Sequence, residues 1–180
     1  EACVKIIKDD PWLLFGGIIA ITNTRQEKAK LEQYMFGVTA YAGKDAPKPQ
    51  LNSAVPGKSP QWIAQQAGFS IPDDAVILVA ECREIGPNEP LTLEKLCPVH
   101  ALLKAKDKNQ AFGMCEQMLV YGTGHTAAIH TNNEALVDEY GLRMHACRII
   151  WNSPASLGGI GDIYNAIAPS LTLGCGSYGR

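Results

Sequence analysis

The 180-residue chain lacks long apolar runs and a marked excess of charge of either sign. No apolar run reaches the ~18 residues of a membrane span, and the first residues have neither the basic region nor the apolar core of a signal peptide. The formal net charge of -2 provides no broad basic face. We therefore expect a small-molecule partner, with no nucleic acid and no membrane.

Paired cysteines are also lacking, because the six cysteines are scattered and form no CxxC pair. This usage favours free thiols in a reducing, cytoplasmic environment. Cys97 and Cys175 lie in candidate ligand-facing loops, but neither has an adjacent base or cation in sequence that would stabilise a thiolate. We expect structural roles for Cys3, Cys82, Cys97, Cys115, Cys147 and Cys175.

Several motifs of well-known chemistry are missing. The sequence has no zinc-ligand spacing, no Walker loop, no dinucleotide Gly-x-Gly-x-x-Gly fingerprint and no Gly-x-Ser-x-Gly elbow. We therefore expect no bound metal. A hydrolase using His125 with Ser153 or Ser156 is a weak alternative, because the sequence identifies neither an acid partner nor an oxyanion hole.

What is present is an alternation of apolar strands and capped helices, which predicts an α/β fold with a mostly parallel sheet and helices on both faces. The length predicts a single domain. An extended loop is expected at 43–56. The predicted helices are Arg25–Phe36, a short one opened by Ser59-Pro60, one capped by Asp107 and ending near Tyr121, and 134–140; the predicted strands are 75–80, 99–105, 126–131 and 146–151.

The end of the chain is dense in glycine, in two segments at 152–162 and 169–179. The first follows an apolar run, and both carry small hydroxyl or amide groups. Such loops allow a ligand to approach the backbone closely, whereas the simpler interpretation is that the glycines only form turns. We favour loops that face a ligand.

The four histidines differ in setting. His100 lies within a predicted strand, His130 near the end of another, and His145 at a helix-to-strand junction, so we expect structural roles for these three. His125 follows Gly122-Thr123-Gly124 directly before a strand. In this flexible turn an imidazole could exchange a proton or hold a thiolate or carbonyl oxygen.

Two glutamates lie in the connection between the strands 75–80 and 99–105, which we expect at the carboxyl end of the sheet. A carboxylate there can accept hydrogen bonds from ribose hydroxyls. For Glu89 we favour a solvated loop charge. For Glu94 a solvated charge and a ribose-binding role are equally open.

Four segments in order carry a resemblance to the CoA-acylating aldehyde dehydrogenases, above all to the aldehyde dehydrogenase half of bifunctional aldehyde/alcohol dehydrogenases. These enzymes convert an aldehyde, NAD⁺ and CoA reversibly into acyl-CoA and NADH through a cysteine thioester. The match runs from about Arg25 to the end of the chain. The segments are Glu94-Lys95-Leu96-Cys97-Pro98, Gly124-His125-Thr126, 152–162 and 170–177.

The resemblance implies a role for each matched position. Glu94 stands where the family binds the nicotinamide ribose, Leu96 where an apolar residue touches the nicotinamide ring, and His125 where this subgroup has its histidine. The glycine-rich segments would line the substrate and CoA channel, with Asn152, Pro154, Ser156, Gly158, Gly159, Thr172, Gly174, Cys175, Gly176 and Ser177.

The chain departs from the family in what it lacks. It contains no Cys-Ala-Ser-Glu-Gln-like nucleophile segment, and Ala2-Cys3-Val4-Lys5 is a poor substitute. The family's cofactor domain is absent as well. We expect the C-terminal lobe of a catalytic domain from a longer, homo-oligomeric enzyme, inactive by itself; the alternative is a non-catalytic remnant that acts as a binding or assembly module.

Overall fold

The computed structural model describes residues 18–21, 24–43, 45–122, 124–162 and 165–170, with backbone alone for 18–21, 156 and 157. Contacts between residues divide the chain into two packed units. The described part of the first unit lies between Gly16 and Ala105, and that of the second begins at Lys106. No helix in these described ranges is long and apolar enough to cross a membrane.

The first unit is a three-stranded sheet with two helices. Among the described residues, the strands β1 (Ile18–Ile21), β2 (Ala75–Glu81) and β3 (Val99–Leu102) lie side by side in that order, and both neighbouring pairs run parallel. Val99 at the start of β3 is paired with Leu78 in the middle of β2. The other elements are α1 (Arg25–Phe36), α2 (Pro60–Gln66) and a 3₁₀ turn (Pro90–Thr92).

Local sequence determines where the helices of this unit begin and end. The Thr24 hydroxyl accepts a hydrogen bond from the Glu27 backbone N–H at 3.1 Å, and Gly37 ends α1 in the left-handed region at φ 71°. Ser59 caps α2 in the same way through Trp62 N–H, with Pro60 at the first helical position. The core beneath these helices contains Leu31, Met35, Ile63, Leu78 and Leu91, all without solvent exposure.

The second unit is built on a two-stranded parallel sheet. Its elements are α3 (Lys108–Tyr121), β4 (Thr126–Ile129), α4 (Glu134–Arg143), β5 (Arg148–Trp151) and the single turn α5 (Ala155–Gly158). Thr126 is paired with Arg148, and Ile129 with Trp151. The core of this unit contains Phe112, Leu119, Ala127, Tyr140 and Met144.

The predicted α/β class with parallel pairing is confirmed. Helix α1 has the predicted bounds, and α3 begins after its Asp107 cap and ends at Tyr121 as predicted. Three strands are shorter than the apolar runs that predicted them: β3 ends at Leu102, β4 ends at Ile129, and β5 begins at Arg148. Helix α4 extends three residues further, to Arg143, while α5 and the 3₁₀ turn were not predicted.

Candidate functional site

The segment before β3 presents Glu94 and Leu96 outward. Both side chains are exposed, and Leu96 has a left-handed φ of 50°, while the intervening Lys95 turns inward. The Lys95 ammonium donates hydrogen bonds to the backbone oxygens of Leu91 at 2.5 Å and Leu93 at 3.0 Å. A carboxylate and an apolar side chain two residues apart are thus held on the surface, where a ligand can reach both.

The sequence predicted that Glu94 lies at the carboxyl end of the sheet, but the structure places this segment at the opposite end. The connection leaves the carboxyl end of β2, but it must return to the amino end of the parallel strand β3. Leu96 lies three residues before Val99, and its backbone oxygen accepts a hydrogen bond from Gly57 N–H at 3.1 Å. Glu94 and Leu96 therefore lie on the returning arm, next to the amino end of β3.

Glu89 is not the solvated loop charge that the sequence suggested. Its side chain has no solvent exposure, and its Oε2 lies 2.6 Å from the Lys28 ammonium on α1. Its Oε1 accepts a weak hydrogen bond from the Arg83 backbone N–H at 3.3 Å. The carboxylate is buried because a cation sixty-one residues away in sequence lies next to it, which no local pattern reveals.

The described cysteines support structural roles. Burial raises the pKa of the Cys82 thiol to about 12, and it also raises the pKa values of Cys97 and Cys115. These thiols remain protonated at neutral pH and are therefore poor nucleophiles. Cys147 is exposed, and all four described cysteines are free; Cys3 and Cys175 lie outside the described residues.

His125 stands directly before β4, with a short contact at one ring nitrogen and a longer one at the other. Its Nδ1 lies 2.5 Å from the Thr126 hydroxyl, and its Nε2 lies 3.5 Å from Arg148 Nη1. Because a guanidinium can only donate, Nε2 carries the lone pair and Nδ1 carries the proton that Thr126 accepts. These contacts favour the tautomer with the proton on Nδ1.

A mostly apolar cavity of about 450 Å³ lies beside His125, lined by residues of α3, α4 and β4 that include Cys115, Leu119 and Tyr140. A small organic molecule next to this histidine would be in contact with few other polar groups. The contacts of Thr126 and Arg148 with the His125 ring were not predicted from the sequence, because a hydroxyl next to a histidine and a cation beginning a strand have no distinctive spacing.

The first glycine-rich segment turns back from the end of β5 to the start of β4. A Cβ atom on Gly159 would lie 2.5 Å from the Ala155 backbone oxygen and 2.9 Å from the Thr126 hydroxyl. A Cβ atom on Gly158 would lie 3.0 Å from the Ser153 hydroxyl. Gly159 is therefore brought next to the hydroxyl that holds His125.

Asn152 and Pro154 lie at the opposite end of the β4–β5 pair from His125. The Asn152 amide joins the two strand ends: its Oδ1 accepts from Thr131 N–H at 2.9 Å and its Nδ2 donates to Thr131 O at 3.0 Å. The backbone oxygen of Pro154 accepts from Gly158 N–H at 2.7 Å. The structure thus brings together His125 and Gly159 but not His125 and Asn152.

The other predicted channel residues lie in α5 or outside the described residues. Ser156 lies within α5, where only its backbone is described. Five others lie outside the described residues: Thr172, Gly174, Cys175, Gly176 and Ser177. Within the described ranges, no three or more His, Cys, Asp or Glu side chains are grouped so that they could hold a metal ion.

No family model matches the chain. Curated relatives do: aldehyde-alcohol dehydrogenase 2 of Entamoeba histolytica is 56% identical over 155 residues, which is 86% of this chain and 18% of that protein. The aldehyde-alcohol dehydrogenase of Streptococcus pneumoniae serotype 4 is 52% identical over 157 residues, or 87% of this chain and 18% of that protein. This chain thus spans about 18% of the length of these relatives.

Solved structures agree with these relatives. An acetylating aldehyde dehydrogenase from Geobacillus thermoglucosidasius superposes with a TM-score of 0.77 at 34% identity, over 97% of this chain and 35% of that one. A probable aldehyde dehydrogenase from Listeria monocytogenes gives a TM-score of 0.75 at 33% identity, over 90% of this chain and 33% of that one. The resemblance expected from the motifs is confirmed: this chain is homologous to one segment of the acylating aldehyde dehydrogenases.

Proposed function

We propose that this chain is one lobe of the catalytic domain of an NAD-dependent, CoA-acylating aldehyde dehydrogenase, which converts a short aldehyde into acyl-CoA. The observation that carries the proposal is the outward presentation of Glu94 and Leu96 on a segment fixed from within by Lys95. These are the positions at which the resembled enzymes bind the nicotinamide ribose and ring.

The exposed groups suit the cofactor's chemistry. The Glu94 carboxylate can accept hydrogen bonds from both hydroxyls of a ribose, and Leu96 offers an apolar surface to a flat ring. When bound, NAD⁺ supplies the hydride acceptor. By the resemblance, the nucleophilic cysteine belongs to a segment upstream of the matched region; burial raises the pKa values of Cys82, Cys97 and Cys115, which makes these three thiols poor candidates for that role.

His125 is the residue we assign to the CoA step. Its Nε2 keeps a lone pair and has only the distant contact with Arg148, at 3.5 Å. As the CoA sulfur attacks the cysteine thioester, Nε2 takes the thiol proton; a new sulfur–acyl bond forms, the bond to the cysteine breaks, and the cysteine leaves as a thiolate. The Thr126 hydroxyl stabilises the imidazole by accepting from Nδ1.

The test compares the isolated chain with the longer polypeptide that contains it. NADH absorbance is followed with acetaldehyde, NAD⁺ and CoA, and iodoacetamide labelling of each cysteine is followed in parallel. We expect CoA-dependent NADH formation by the longer polypeptide only. Glu94→Gln should raise KM for NAD⁺ about tenfold, the loss of roughly 1.4 kcal/mol of binding, and His125→Asn should lower kcat about 10²-fold or more.

Glu84→Gln, at an exposed position on the same connection, is the matched control and should change neither parameter. A longer polypeptide that forms no NADH with all three substrates would contradict the proposal and favour a binding or assembly module. Turnover by the isolated chain with rapid labelling of Cys97 or Cys115 would show that the nucleophile was wrongly assigned.

A further inference from the structure

Three charged side chains form a buried cluster in the first unit. The Lys28 ammonium lies 2.6 Å from Glu89 Oε2 and 3.6 Å from Glu32 Oε1. The side chains of Lys28, Glu32 and Glu89 are 17%, 2% and 0% exposed. Two almost fully buried carboxylates therefore share one cation, and losing that cation is strongly unfavourable.

Glu32 belongs to this cluster but is held differently. Its Oε2 accepts a hydrogen bond from Ala40 N–H at 2.7 Å, whereas its Oε1 has no hydrogen-bond partner. Burial raises the pKa of this carboxyl. Lys28 makes its shorter contact with Glu89, and this ion pair ties the connection between β2 and β3 to α1 in addition to the apolar packing of Leu91.

Glu89 is also the organising residue of the connection itself. Its backbone N–H donates to Gly86 O at 2.9 Å, and its backbone oxygen accepts from the Thr92 N–H at 2.9 Å and the Thr92 hydroxyl at 2.7 Å. The same hydroxyl accepts from Gly86 N–H at 2.9 Å. Fixing the carboxylate of Glu89 therefore fixes the tight loop from Gly86 to Thr92.

The loop continues without a break into the segment that presents Glu94 and Leu96. Leu93 N–H donates to Pro90 O at 3.1 Å, and the Leu93 oxygen accepts from the Lys95 ammonium. Glu94 lies between these two fixed residues. A shift of Glu89 would thus be transmitted over five residues to the exposed carboxylate.

We infer that Lys28 is a positioning residue that acts through Glu89 to hold Glu94 and Leu96 in place for the nicotinamide half of NAD⁺. The inference rests on the proposed function only for the identity of the ligand. The ion pair between Lys28 on α1 and Glu89 in the loop is formed within this chain, so its effect on the loop can be tested without measuring catalysis.

The first arm measures amide hydrogen exchange of the whole 180-residue chain. Lys28→Met removes the cation, and the milder Lys28→Gln keeps a donor but not the charge. Lys104→Met is the matched control, because Lys104 pairs with Glu81 at 3.1 Å with both side chains more than half exposed. We expect exchange in peptides covering 83–97 to accelerate about tenfold in the Lys28 variants, with little change in α3 and none in the control. Unchanged exchange in a folded Lys28 variant would overturn the inference.

The second arm measures kinetics of the longer polypeptide. Lys28→Gln should raise KM for NAD⁺ about tenfold while KM for CoA changes less than twofold, and Lys28→Arg should restore most of the loss because a guanidinium still donates to Glu89. Unchanged KM for NAD⁺ in Lys28→Gln, where Glu94→Gln raises it, would refute the positioning role. If Glu94→Gln also has no effect, the cofactor assignment in the proposed function fails instead, and accelerated exchange in the first arm would still support the tie.

Discussion

At the scale of single residues, the surroundings of His125 depend on how closely Gly159 approaches β4. Gly159 has no room for a side chain, since an added Cβ would lie within 2.5–2.9 Å of the Ala155 oxygen and the Thr126 hydroxyl. The second of these atoms is the one that holds His125 Nδ1. Glycine is thus needed here for packing against β4, and the position of the histidine depends on it.

Gly159→Ala should therefore destabilise the protein by about 1–3 kcal/mol, the usual effect of forcing a group into a packed region. Urea unfolding followed by circular dichroism would measure this. Gly113→Ala is the matched control: Gly113 lies within α3 with nothing within 4 Å of its Cβ position, so alanine should stabilise by roughly 0.5–1 kcal/mol. Equal effects at the two positions would contradict the packing argument.

At the scale of elements, signals within a few residues were readable from the sequence, whereas contacts between distant residues were not. Asp107 caps its helix as predicted, and Thr24 caps α1 through a side-chain hydrogen bond of the same kind. By contrast, the burial of Glu89 depends on Lys28, which is far away in sequence and reaches it only once α1 packs beside the loop. Gly159 and Thr126 are also far apart in sequence. The sequence singled out Gly159 as a candidate site residue but did not predict that it packs against Thr126.

The Asp107 cap gives a test at this scale. Asp107 Oδ1 accepts from Gln110 N–H at 2.8 Å, while Gln110 Oε1 accepts from Lys106 N–H at 2.8 Å. Asp107→Ala leaves the Gln110 N–H without this acceptor and should lower the free energy of unfolding by about 1 kcal/mol. Asp107→Asn keeps an acceptor oxygen and should change it by only a few tenths. Urea denaturation of both variants checks this, and equal losses would mean that charge at the helix start matters more than the hydrogen bond.

At the scale of the whole molecule, the two units carry carboxyl groups with opposite responses to acid. In the second unit, hydrogen bonds from Arg143 and from Lys108 lower the pKa values of Glu116 and Glu139 respectively. In the first unit, burial raises the pKa of Glu32. A lowered pKa in the folded state contributes stability that is present above the unfolded value and lost as the pH falls, whereas a raised pKa favours folding more as the pH falls.

We therefore expect acid to weaken the α3–α4 pair first. As the pH falls from about 5 through the lowered pKa values of Glu116 and Glu139, the free energy of unfolding should decrease, because the unfolded chain then binds more protons than the folded one. The double variant Glu116→Gln, Glu139→Gln removes both groups, so its stability should vary less with pH, although it should be no more stable than the unchanged protein near neutral pH. Glu84→Gln, at an exposed position of the β2–β3 connection, should keep the original dependence. Urea denaturation at a series of pH values measures the slopes, and a double variant that loses stability as steeply as the unchanged protein would show that acid acts elsewhere, on groups that neither Arg143 nor Lys108 contacts.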